Sequence, residues 1–129
     1  MRTFFWFLLV LCFAFSANGQ SAEKERISKA IELGNAKMLS DYFAGMVDLT
    51  VKDIEDVYSK EQAEVILTRF FNQNKTISYA VKHEGKSKLD DYYYIGDLVS
   101  STGTFRCTFF LKREGEKFRI KQLKIEGEE

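Results

Sequence analysis

From Ile77 to Ile125 the chain is a series of short stretches with apolar residues at every second position, cut by glycine-bearing turns. A two-residue apolar period puts one face of each stretch against something dry and the other in water. Such a chain is committed to an antiparallel sheet, and something else in the sequence has to cover that sheet. The pattern predicts strands over 77–83, 92–99, 104–112 and 117–125, with a polar loop over 84–91. Ser100-Ser101-Thr102-Gly103 reads as a hairpin turn with glycine where a positive φ is needed, and Glu114-Gly115-Glu116 as a second tight turn. In the last stretch the apolar phase slips, from Phe118 and Ile120 to Leu123 and Ile125. A β-bulge near Lys121-Gln122 restores the phase and bends the sheet.

The cover is written just upstream. Ser59-Lys60-Glu61-Gln62 is a capping box, in which the serine hydroxyl and the glutamine side chain each satisfy the other's free backbone N–H. Behind it, Ala63, Ile66, Leu67, Phe70 and Phe71 recur at the spacing of one apolar helix face. Two shorter helices are predicted before it. One is capped at Ser21, buries Ile27, Ala30 and Ile31, and stops at Gly34. The other is capped by Asn35 and runs from Ala36 to Phe43. Alternation over Met46–Lys52 predicts a strand between the second and third helices, with Asp48 on its wet side. The architecture expected is α+β, with three N-terminal helices packed on a curved, mainly antiparallel sheet. The long helix lies across the concave face, leaving a cone whose wide end can form a pocket.

Residues 1–19 have a different purpose. Arg2 is followed by an unbroken apolar run, Phe4–Phe15, and then by small residues up to Gly19. Charge, short apolar core and small-residue exit are the parts of a secretory signal peptide, here cut after Gly19. The run is too short for the roughly 20 residues needed to cross a bilayer. Acylation at Cys12 is disfavoured because Leu9-Val10-Leu11 puts bulky Leu11 where a small residue is expected and the cysteine sits inside the apolar run. The expectation is a single domain over 20–129, exported to the periplasm or cell envelope of a Gram-negative bacterium, with no membrane attachment after cleavage.

Removing the leader leaves 18 basic against 19 acidic residues, a net charge of −1. Nucleic acid is approached through a basic excess, so no nucleic-acid partner is expected. Of the 12 Phe, 6 Tyr and one Trp, five Phe and the Trp precede Gln20. The aromatics that remain suffice for one core. Cys107 is then the sole cysteine, which rules out an internal disulfide and predicts a buried, inert thiol. One histidine, one cysteine and no close carboxylate set make no metal-ligand cluster. No phosphate loop or nucleophile elbow is present, and no cofactor is expected.

Three groups of phrases, in order, resemble one family. Gly34-Asn35-Ala36-Lys37 with Leu39-Ser40 and Tyr42-Phe43 is the first, and Val57-Tyr58-Ser59-Lys60 with Gln62-Ala63 and Phe70-Phe71 the second. His83-x-Gly85-x-Ser87, then Tyr94-Ile95-Gly96-Asp97-Leu98 and Gly103-Thr104-Phe105-Arg106, is the third. Together they resemble the domain of unknown function 4783 family, small exported proteins with a nuclear-transport-factor-2-like cone. The resemblance spans nearly all of 20–126 and implies fold and export, but no activity. The wider superfold holds enzymes such as ketosteroid isomerase and scytalone dehydratase beside non-catalytic modules, so fold does not decide function.

His83 shares strand parity with Ile77, Tyr79 and Val81, which predicts an inward side chain. It is read first as a structural histidine bonded to a buried partner, and alternatively as a general base in the cone. Asp97 is its candidate acid if Tyr93 and Ile95 also point inward. Tyr92-Tyr93-Tyr94 has to put aromatics on both sheet faces, either as strand formers or as a binding platform. Arg106 has polar parity and reads as a cross-strand ion-pair partner or an anion anchor. Lys86, Lys88, Asp90 and Asp91 read as a solvated loop tip. The functional expectation is an exported, non-catalytic binding or interaction module for a small molecule, a glycan or a protein. Homodimerisation through the sheet face is one such arrangement. The alternative is an isomerase- or dehydratase-type enzyme using His83 with Asp97 or a cone-lining tyrosine. A cone filled by Phe70, Phe105 and Phe109 would favour the module.

Overall fold

The computed structural model describes residues 19–87 and 89–128. The signal-peptide reading, with Cys12 inside it, and the loop residue Lys88 lie outside the described residues. In chain order the elements are α1 (Gly19–Glu32), α2 (Ala36–Ser40), β1 (Phe43–Val51), β2 (Ile54–Ser59), α3 (Lys60–Gln73), β3 (Thr76–Lys86), β4 (Tyr92–Ser100), β5 (Gly103–Glu114) and β6 (Lys117–Gly127).

Local chemistry sets several of these boundaries as expected. Gly34 adopts φ 62°, and the Gly34 and Asn35 N–H groups donate back to the Ile31 and Ala30 carbonyls at 3.0 Å each. This is a Schellman stop, which only a residue at ease with positive φ closes cheaply. Asn35 Oδ1 then accepts from the Met38 N–H at 3.0 Å and starts α2. The capping box forms in full: Ser59 Oγ accepts from the Gln62 N–H and Gln62 Oε1 from the Ser59 N–H, both at 3.2 Å. Ala63, Leu67, Phe70 and Phe71 are buried along the α3 face, with Ile66 half-buried. Gly103 follows the two-residue turn Ser101-Thr102 with φ 144°.

Other expectations need correction. The helix at the start of the described chain already includes Ser21, which is therefore not its N-cap. α2 stops at Ser40, and Phe43 belongs to β1. Phe43 pairs with Ile120 and is buried, which a surface turn of helix would not offer. The three helices are not all N-terminal, because α3 follows a β1–β2 hairpin. β2 was missed because it is an edge strand whose Ile54 and Val57 stay exposed, so no alternation marks it. Its two-residue turn, Lys52-Asp53, lacks glycine and puts Lys52 at φ 56°.

The six strands form one sheet in the order β2-β1-β6-β5-β4-β3. It is mixed rather than purely antiparallel, since β1 runs parallel to β6. The bulge expected in β6 is present: Phe110 pairs with Gln122 and Leu111 with Ile120, leaving Lys121 as the extra residue. One face carries Val47, Leu49, Tyr79, Tyr94, Leu98, Cys107, Phe109, Leu111 and Leu123, packed with Ile27 and Ile31 of α1 and Leu67 of α3 in one core. Cys107 is fully buried, as expected of an inert thiol, and burial pushes it up to about 12.

Two further bulges lie in β3, and both change the reading of the site. Ser78 pairs with Val99 and Thr76 with Ser100, so Ile77 is squeezed out and is 67 % exposed. Val81 pairs with Gly96 and His83 with Ile95, so Lys82 is the second extra residue. An inserted residue reverses side-chain parity downstream of it. Of the four residues given one parity by sequence, only Tyr79 and Val81 face the core.

Candidate functional site

The space between α3 and the sheet is filled. Phe70, Phe105 and Phe109 are 4 %, 7 % and 0 % exposed, and the Phe70 ring meets Phe105 edge-on with centroids 5.2 Å apart. Tyr79 helps to close the interior: its hydroxyl donates to the Cys107 carbonyl at 3.0 Å, and burial raises its phenol well above the usual range. Gly96 lies under the Tyr79 ring, where a Cβ would come within 2.8 Å of that ring and 2.6 Å of the Ala80 carbonyl oxygen.

The residues nominated as chemically active lie on the other face. His83 is exposed on β3 opposite Ile95, which corrects its expected inward placement. No hydrogen bond to the His83 side chain is found among the described residues, so the buried-partner reading has no support from contacts. In β4 the buried set is Tyr94, Gly96, Leu98 and Ser100. Asp97 therefore points to the outer face with Tyr93 and Ile95, and not into the cone. Both members of the candidate acid–base pair share one face, outside the filled interior.

The three tyrosines do not form one platform. Tyr94 faces inward, stacked on Phe109 at 4.9 Å with the Lys24 ammonium 5.6 Å from its ring centroid. Tyr92, on the same side near the sheet end, meets Phe118 edge-on at 5.5 Å. Tyr93 alone takes the outer face, 6.1 Å from Phe110. Its ring lies across Gly85, where a Cβ would collide with the phenol. The pleat required aromatics on both faces, and Phe109 decided which two turned inward.

Arg106 is exposed on the outer face, opposite Asp97 on one side and Glu126 on the other. Neither carboxylate comes within 4 Å of it among the described residues, so the expected tight cross-strand ion pair is replaced by a looser charge cluster. Glu128 joins that cluster. A hydrogen bond shared with Asp97, desolvation and the Asp97 charge hold its carboxyl above the usual range, while Arg106 pulls the other way. Among the described residues no group of three or more His, Cys, Asp or Glu side chains is arranged to hold a metal ion. At the 87–91 loop, Lys86 pairs with Asp90 at 2.9 Å and Lys121 with Asp91 at 3.0 Å. The Asp90 carboxyl, hydrogen-bonded to Lys86, is held below its ordinary value.

A six-stranded mixed sheet with helices on one face and, among the described residues, none on the mixed-charge other face is an α+β module with a nuclear-transport-factor-2-like fold. The same fold is seen in a solved variant of Rd1NTF2_05 (TM-score 0.64, 18 % identity, 81 % of this chain and 96 % of that one). The chain belongs to the DUF4783 family, whose domain of unknown function matches residues 24–126. A DUF4783 family protein from Bacteroides fragilis is 31 % identical, with TM-score 0.75 over 80 % of this chain and 96 % of that one. One from Bacteroides uniformis is 30 % identical, with TM-score 0.76 over 81 % and 96 %. No curated protein sequence matches the chain.

Proposed function

We propose that this domain is an exported, non-catalytic interaction module of the periplasm or cell envelope, and that the face of its sheet opposite α1, α2 and α3 is the working surface. The observation that carries this reading is the division between the two faces. The interior is filled by Phe70, Phe105 and Phe109, while Tyr93, Ile95, Phe110 and Arg106 lie together on the outer face. The partner that suits this face is a second copy of the chain. Its apolar centre, half-buried Tyr93, Ile95 and Phe110, is flanked by both signs of charge: Arg106 and Lys124 against Asp48, Asp97 and Glu126. A two-fold axis sets a patch against itself, so a patch carrying both signs complements its own copy.

The size is adequate. Six strands at about 4.8 Å spacing and about 30 Å length offer roughly 700 Å² of flat surface, near the roughly 800 Å² per partner of a standard interface. Sedimentation velocity tests the proposal. Wild type should sediment as a dimer at micromolar concentration, and Ile95→Lys as a monomer that keeps the wild-type far-UV circular dichroism spectrum and still melts cooperatively. A wild type that stays monomeric as concentration rises, or an Ile95→Lys variant that stays dimeric, would overturn it. The export part is tested on protein recovered from cells, which should begin at Gln20 and carry no lipid.

A further inference from the structure

The β1–β2 turn passes beside the C-terminal half of α3 and leaves a groove of about 250 Å³ between them. This groove is on the helix side of the sheet, away from the face proposed to meet a second copy, and what it binds goes beyond that reading. Its floor is apolar: Val51 and Phe70 are buried, Ile66 is half-buried, and Ile54 remains 43 % exposed. Its rim carries two cations, Lys52 from the turn and Arg69 from the helix. Lys24, Lys86 and Lys121 each have a carboxylate within 4 Å, whereas Lys52 and Arg69 have none among the described residues.

Lys52 is also held in place. Its backbone is left-handed at φ 56°, its N–H donates to the Ile125 carbonyl at 2.9 Å, and its ammonium lies 5.8 Å from the Phe105 ring centroid. A non-glycine residue is strained in this conformation, and a glycine at the turn would avoid the strain. Asp53, beside Lys52 at the groove, contributes one negative charge, so the lining carries a net single positive charge.

We infer that this groove binds a medium-chain aliphatic carboxylate. The alkyl chain lies on Ile54, Ile66 and Phe70, and the carboxylate is received between Lys52 and the Arg69 guanidinium. An apolar floor selects an alkyl body, and a rim with one net positive charge selects a monoanionic head. A guanidinium offers two parallel N–H donors to a carboxylate, which favours that head over a spherical ion. The volume falls below the roughly 300–1,000 Å³ of drug-sized sites, which excludes a two-chain lipid.

The test is a methyl-resolved NMR titration of the purified protein with sodium octanoate below its micellar concentration, beside 1-octanol and octyltrimethylammonium. Octanoate should shift the methyl resonances of Val51, Ile54 and Ile66. Octanol should bind more weakly, and the cation should leave these signals in place. Arg69→Gln, an exposed change on a helix, and Lys52→Asn, which keeps a residue tolerant of positive φ, should each weaken octanoate binding about three- to tenfold. Melting curves confirm that both are folded, and Arg69→Gln alone decides the matter if Lys52→Asn is not. Octanol binding as well as octanoate, shifts confined to other regions, or folded variants that bind like wild type would each overturn the inference. Sedimentation of the same samples is a separate readout, so a failed titration leaves the sheet-face proposal standing.

Discussion

Replacing Phe70 by alanine removes the ring that joins α3 to the sheet, and its cost follows from the ring's surroundings. Phe70 is 4 % exposed and meets two rings edge-on, Phe71 at 5.5 Å and Phe105 at 5.2 Å. Burying a phenylalanine side chain contributes about 1.5–3 kcal/mol. Edge-on aromatic pairs add about 0.5–1.5 kcal/mol each beyond that burial. The expected loss is then about 3–5 kcal/mol, the range measured for large core truncations. Phe70 also borders the groove beside Ile66, so the space left behind opens toward water and can partly collapse. That places the expected value nearer 3 than 5 kcal/mol.

Urea unfolding followed by far-UV circular dichroism measures this difference, with an unchanged slope as the check that the unfolded state is the same. Ser59→Ala is the control at the other end of α3. It removes the hydroxyl's bond to the Gln62 N–H and should cost about 0.5–2 kcal/mol. A Phe70→Ala protein within about 0.5 kcal/mol of wild type would refute the reasoning, since that is the range of surface changes. A larger loss from Ser59→Ala than from Phe70→Ala would show that the cap, and not burial, holds this helix.

Gly96→Ala should destabilise by about 1–3 kcal/mol, because the new methyl meets the Ala80 carbonyl and a Tyr79 ring tied to Cys107; a melting temperature equal to wild type would contradict it. His83→Asn should stay within about 0.5 kcal/mol of wild type, since the exposed ring has no bonded partner to orphan among the described residues. A fall of several degrees in its melt would count against the bulge at Lys82. Stability should also decline in alkali. The Cys107 thiol is pushed from an ordinary 9.0 up to about 12 by burial, so between those values the unfolded chain has lost a proton that the folded one keeps. Stability present below pH 9 therefore falls as pH rises, by about 1.4 kcal/mol per pH unit for this group. The buried Tyr79 phenol shifts in the same direction and steepens the fall. Denaturation midpoints at pH 8 and pH 10.5 measure it, and Cys107→Ala should show the shallower decline.

What the sequence determined by itself was whatever depends on neighbours in the chain. The Ser59–Gln62 box, the Gly34 stop and the Asn35 cap each involve residues within five positions of one another, so their chemistry was legible before any fold. The Lys121 bulge was legible as well, because the apolar phase slips visibly between Ile120 and Leu123. β2 was not, since an exposed edge strand has no dry face to write a period. The bulges at Ile77 and Lys82 were hidden because Ile77, Tyr79, Val81 and His83 keep an unbroken alternation, and only pairing with β4 shows where a residue is inserted. That pairing moved His83 to the outer face and, with the stacking of Tyr94 on Phe109, decided where Asp97 and Tyr93 point. The groove between Lys52 and Arg69 joins a turn to a helix 17 positions along the chain. Local patterns carry period and capping, but register and the meeting of distant side chains depend on cross-strand partners, and these exist only in the tertiary structure.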